Sequence, residues 1–214
     1  MVVRDALLIL AIVPLLACAS NPPRELLRCG VVDSDAEDSA PVQPLSAWPA
    51  PGSELSSWTR PTRWTALELV RGTVGRPADH EGDDYINANT DVVTVAVVAA
   101  AAGTVVYARR GCPQSTVFAP NKLLRECSAG WGNHVIVRHR NNVYTRYAHL
   151  ATIIVTSGDE VVRGQPLGTM GNSGRSDVRH LHFELGTRSV GIDACGPAQS
   201  FDAIYEASKL VFAP

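Results

Sequence analysis

Two His-containing clusters of this 214-residue chain, His80 to Asp84 and His180 to Glu184, have residue types and spacings that suit metal and proton chemistry. Side chains two apart on a strand share a face, roughly 7 Å apart along the chain. In His180-Leu181-His182-Phe183-Glu184 both imidazoles therefore point into one cleft, while Leu181 and Phe183 pack behind it. One imidazole can bind a metal while the other stands a water's width away. An HxH alone is only moderately specific. The earlier cluster, His80-Glu81-Gly82-Asp83-Asp84, brings a His and carboxylates together at a Gly-containing bend. His and Asp are suitable zinc ligands, and three protein ligands plus a water define an open catalytic site. On its own the pentapeptide reads better as a polar surface turn. Beside the HxH and Tyr147-Ala148-His149-Leu150, the metal reading becomes the better one.

The elements that must position these residues are short strands. Val92 to Ala102 is rich in Val and Ala, and Gly103 precedes Thr104-Val105-Val106-Tyr107. Asn133 to His139 alternates, with Val135 and Val137 on one side and His134 and Ile136 on the other. Val143 to Leu150, Ile153 to Val155 and Val161-Val162 are further candidates, punctuated by Gly158-Asp159 and Gly164-Gln165 turns. This pattern predicts a mainly β, antiparallel fold, with one short C-terminal helix over Phe201 to Val211.

Taken in order, His-x-x-x-Asp, Tyr-x-His-Leu, the hairpin Gly158 to Gly168, Gly171-Asn172-Ser173-Gly174 and His-Leu-His-Phe-Glu resemble the lysostaphin/LytM-type zinc peptidases, from His80 to Glu184. The resemblance implies a barrel-sandwich hybrid with an open groove. It implies one zinc ion held by His80, Asp84 and His182, with His149 and His180 as non-ligand catalytic histidines. It also implies peptidoglycan stems or cross-links as substrate. Glu184 shares the face of the two histidines and is either support for them or a solvated strand end. Tyr147 points away and packs; His134 and His139 are structural.

The sequence departs from the family pattern in three places. Asp83 stands where an apolar residue is usual, so Asp84 is chosen over it by spacing alone, and neighbours on an extended chain face opposite ways. Residues 87–102 are longer than usual, and residues 111–130 form an insertion. Non-catalytic LytM-like regulators of wall hydrolases share the fold but lose ligands, whereas this chain retains all five residues. A biotinyl-type carrier needs a hairpin-tip lysine, and neither Lys122 nor Lys209 occupies one.

Nineteen basic against 21 acidic residues, without a basic run, give no footprint for nucleic acid. Arg4 and the apolar run Ala6 to Ala17 read as a signal peptide over residues 1–17, too short for the ~20 residues of a spanning helix. Leu15-Leu16-Ala17-Cys18 resembles a lipobox, with Cys18 as the lipidated residue and this lipid as the only membrane attachment; cleavage after Ala19 is the competing form. Residues 18–60, Pro-rich and acidic, read as a tether, and residues 61–214 as the peptidase domain. With Cys18 lipidated, four cysteines remain. Cys112 and Cys127 flank the insertion and are the natural pair, leaving Cys29 with Cys195, one of three possible connectivities. Closing the 112–127 loop is worth about 3 kcal/mol.

Overall fold

The expected alternation of short strands and turns is present in the computed structural model, which describes residues 58–63, 66–69 and 82–205. His80, Cys18, Cys29, the leader and nearly all of the tether lie outside the described residues. Eleven strands follow in chain order: β1 (Ala66–Leu69), β2 (Asp83–Ile86), β3 (Ala96–Val98), β4 (Gly103–Arg109), β5 (His134–Arg138), β6 (Val143–Ala148), β7 (Leu150–Ile153), β8 (Glu160–Val161), β9 (Pro166–Met170), β10 (His180–Thr187) and β11 (Ala203–Tyr205). Eight build one sheet in the order β1-β2-β10-β6-β5-β4-β8, with β11 on β10, and β3-β9-β7 form a second. All pairs are antiparallel, and no α-helix occurs among the described residues.

The C-terminal helix expected from Phe201 is corrected for the described part of that segment. Ala203–Tyr205 is a strand, paired with Leu185 to Thr187. Its helical periodicity is weak, and β10 runs well past the histidines. Pairing along that strand outweighs local propensity.

The central strands of the larger sheet, β5, β6 and β10, are buried on both faces, in keeping with apolar residues on both sides. Val135, Val137, Tyr147, Leu181 and Phe183 pack toward Val97, Leu150 and Leu167 of the smaller sheet. Ile136 and Tyr144 pack on the opposite face with Tyr107 and Phe201. Tyr147 is indeed a packing residue, its hydroxyl accepting the Ala100 N–H at 2.8 Å. His134 and His139 belong to the scaffold. His134 stacks on Tyr107 and donates from Nδ1 to Gly132 O. His139 bonds Ala102 O through Nδ1 and Thr145 Oγ1 through Nε2, both at 2.8 Å.

The chain changes sheets at His149. β6 belongs to the large sheet and β7 to the small one, and His149 between them has φ of 58°. A left-handed backbone is uncommon for a non-glycine residue. Here it turns the imidazole out of the strand alternation and toward β10. Cys112 and Cys127 are joined by a disulfide that closes the insertion. Cys195 is also disulfide-bonded.

Candidate active site

The site forms where β2 pairs with β10. The register sets Asp84 opposite His182 and Asp83 opposite Phe183. Gly82 permits this approach: its φ is 103°, and a Cβ there would sit 2.6 Å from Phe183 O. Asp84 Oδ1 lies 3.0 Å from His182 Nδ1, and Asp84 Oδ2 lies 3.4 Å from His180 Nε2. Asp84 is thus the carboxylate beside the histidines, although Asp83 is also buried.

One nitrogen of each imidazole is fixed from behind. His182 Nε2–H donates to Glu184 Oε1 at 3.0 Å. His149 Nδ1–H donates to Ser173 O at 2.7 Å, and His180 Nδ1–H donates to Val178 O at 2.8 Å. The Ser173 carbonyl is delivered by a close backbone crossing. Gly132 has φ of 65°, and a Cβ on it would fall 2.4 Å from Ser173 O. The rings of His149 and His180 are 4.6 Å apart, and those of His149 and His182 are 5.8 Å apart. Four of the five residues singled out from sequence, Asp84, His149, His180 and His182, therefore share one site; the fifth, His80, is outside the described residues.

The surroundings tune these groups in opposite directions. Burial, then the neighbouring His180 and His182, hold the His149 pKa well below the usual histidine value. Burial also opposes charge on His182, but hydrogen bonds and charge from Asp84 and Glu184 outweigh it and raise its pKa to about 9. With Nε2–H committed to Glu184, neutral His182 turns a bare Nδ1 toward a carboxylate oxygen 3.0 Å away. Two acceptors at that distance call for a cation, a proton or a metal. An imidazole nitrogen and a carboxylate oxygen are also a zinc donor set. The residues present therefore fit a metal ion. Among the described residues no group of three His, Cys, Asp or Glu side chains is arranged to hold one.

Behind the site the structure decides between the two readings of Glu184 and adds Trp131 and Arg146, which sequence reasoning missed. Glu184 is fully buried, not a solvated strand end. It accepts Trp131 Nε1–H at 2.6 Å and pairs with Arg146 Nε at 3.4 Å. Burial alone would raise its pKa, but Arg146 foremost and then His182 bring it below the ordinary carboxylate value. The Arg146 guanidinium stands 3.5 Å over the Trp131 ring and donates to Gln199 O. The available signal was a lone charged residue in the middle of an otherwise uncharged strand, Val143-Tyr144-Thr145-Arg146-Tyr147-Ala148.

The model for peptidase family M23 matches residues 78–194, more than half of the chain. The chain belongs to peptidase family M23. Three curated proteins show what the chain is similar to. The peptidoglycan DD-endopeptidase ShyA of Vibrio cholerae is 46% identical over 63 residues, 29% of this chain and 15% of its own. The murein hydrolase activator NlpD of Salmonella dublin is 31% identical over 144 residues, 67% of this chain and 32% of its own. The lipoprotein YgeR of Escherichia coli is 31% identical over 150 residues, 70% of this chain and 49% of its own. The chain thus spans half or less of the length of each relative. Proteins similar to this one include both an endopeptidase and an activator.

Proposed function

We propose that this protein is an exported, zinc-dependent endopeptidase that hydrolyses peptide bonds in peptidoglycan stems or cross-links. The supporting observation is the way the three histidines divide their nitrogens. His182 is backed by Glu184 and faces Asp84, whereas His149 is backed by a carbonyl and makes no hydrogen bond through Nε2.

His182, Asp84 and His80 would hold the zinc ion. When bound, zinc supplies Lewis acidity, polarising a carbonyl and bringing the acidity of water to a pKa of ~7. The Glu184 carboxylate fixes the His182 tautomer, leaving Nδ1 as the ligating atom. His149, neutral at pH 7, accepts through Nε2 the proton that the attacking water loses as its oxygen bonds to the scissile carbon. The same nitrogen returns that proton to the amine as the C–N bond breaks. His180 Nε2 lies 3.4 Å from Asp84 Oδ2 and, with Nδ1–H given to Val178 O, donates only when it carries a second proton. In that form it hydrogen-bonds the carbonyl oxygen as negative charge develops there.

Export and attachment through a lipid on Cys18 are supported by the leader sequence and by YgeR being a lipoprotein. No helix among the described residues is long and apolar enough to cross a membrane. Residues 18–60 then serve as the tether of a peptidase domain over residues 61–214, and Cys29 is the partner of Cys195. A regulatory role is the second reading. It is favoured by the activator NlpD matching 67% of this chain when the endopeptidase ShyA matches 29%.

Zinc quantification combined with mass spectrometry of digested sacculi separates the two readings. The wild type should carry one zinc and release new muropeptides, and His182→Ala should lose both. Wild-type protein that holds no zinc and releases nothing, yet accelerates a separate wall hydrolase, would establish the regulator.

A further inference from the structure

The loop between β9 and β10, residues 171–179, lies outside both sheets apart from a single bridge at Gly171, yet its Asn172, Ser173 and Ser176 are fully buried. Buried backbone polar groups must be paired, and much of the pairing here comes from the disulfide-closed 112–127 insertion. Asn121, itself fully buried, donates from its backbone N–H to Ser176 O at 2.8 Å and from Nδ2 to Gly174 O at 2.9 Å. Its Oδ1 accepts the Ser115 and Leu123 N–H groups at 3.0 and 3.1 Å, which folds the insertion around it. In the reverse direction Asn172 Nδ2 donates to Thr116 O and Ala119 O, both at 2.9 Å. Cys112 is tied to the same loop through Asn133. The Asn133 side chain bonds the Cys112 N–H and C=O at 2.8 and 3.0 Å, and its backbone N–H donates to Ser173 Oγ at 3.0 Å.

This loop supports two of the histidines. Ser173 O accepts His149 Nδ1–H at 2.7 Å, and Ser173 Oγ donates at 2.9 Å to the carbonyl of Leu150, the next residue after His149. Ser176 Oγ lies 3.2 Å from His180 Nδ1 and donates to Val178 O, the same carbonyl that accepts that imidazole's N–H. Asp84 and His182 are set differently, by the β2–β10 register and by Glu184. The two halves of the site therefore have separate supports: strand pairing for Asp84 and His182, and a clamped loop for the rings of His149 and His180.

We propose that the 112–127 insertion, acting through Asn121, is a clamp that fixes the His149 and His180 imidazoles for proton transfer, so that its closure governs turnover and leaves metal binding alone. The proposal rests on the peptidase reading. Asn121 is a positioning residue, touching no reacting atom. A loop with few fixed partners opens readily, whereas one whose carbonyls are engaged by a cross-linked segment is ordered before substrate arrives. The disulfide contributes by restricting the conformations open to the insertion when it is released. Misplacing a proton-transfer group by ~1 Å can cost ~10²-fold in rate, so the clamp acts on kcat.

The test measures cleavage of muropeptide dimers, released from purified sacculi by a muramidase, using the full-length zinc-loaded protein. Asn121→Ala should lower kcat on the order of 10²-fold, with KM and zinc affinity nearly unchanged. Cys112→Ala with Cys127→Ala opens the insertion without altering the loop itself and should lower kcat in the same way; it carries the test if Asn121→Ala fails to fold. Lys122→Ala, at the exposed neighbour of Asn121, should leave kcat unaltered. Proton NMR supplies a readout that needs no turnover: the His149 Nδ1–H should exchange with solvent on the order of tenfold faster in the Asn121 and cysteine variants than in the wild type. Unchanged kcat, or zinc lost in step with kcat, would overturn the proposal. Wild-type protein that retains zinc but cuts nothing would instead defeat the peptidase reading. In that event the imidazole exchange decides the clamp: faster exchange in the variants supports it, and equal exchange refutes it.

Discussion

His182 and His149 lie 5.8 Å apart, ring to ring, and their surroundings push them to opposite protonation states. His182 is enclosed by two carboxylates, Asp84 and Glu184, which favour its protonated form. His149 is enclosed by two other imidazoles and a carbonyl and resists protonation. Both are buried, so desolvation does not distinguish them. Partners do. On the proposed reading, this contrast lets one residue type supply a cation-binding end and a proton-accepting end within a single cleft.

The most severe way to break this contrast is to remove the carboxylate from the cation-binding end. Asp84→Ala should abolish zinc retention and turnover together, read by metal analysis and muropeptide release. His149→Gln strikes the other end alone: kcat should fall by ~10²–10⁴ while zinc stays bound. A His149 variant that also loses the metal would show that the two ends are not separable. Glu184→Gln keeps the shape but weakens the backing of His182, and zinc affinity or activity should drop ~10–100-fold, measured by competition with a chelator.

The smallest effect sharpens the comparison through stability. Burial holds the pKa of His134 at about 3 and that of His139 at about 4. Both lie below the unfolded value, so between these values and pH 6.5 the unfolded chain binds more protons. Stability therefore rises with pH across that window and is lost as pH falls through it, by up to about 1.4 kcal/mol per pH unit for each histidine. His139→Gln should flatten the slope by one histidine's share in denaturant titrations at successive pH values.

Strand alternation made part of this legible from sequence. It set His180 and His182 on one side of β10, Val135 and Val137 opposite His134 and Ile136, and Tyr147 in the core. It failed where the backbone leaves the alternation or where partners are remote. His149 lies at a left-handed break between sheets, so its direction cannot be read by counting along β6. Glu184 is buried because Trp131 and Arg146, 53 and 38 positions earlier in the chain, converge on it. The strand at Ala203–Tyr205 arises from pairing with β10, which a local helical pattern does not reveal. Asp84 over Asp83 rested on spacing until the β2–β10 register brought Asp84 to His182.

Trp131 adds an optical dimension. Its indole N–H and the His182 ring N–H share one acceptor, Glu184 Oε1, and a guanidinium lies against the indole face. Any event that redistributes charge on that oxygen alters the electric field along the indole. The protein therefore carries its own fluorophore at the back of the cation-binding end, and its emission should follow occupancy of the site without an added dye.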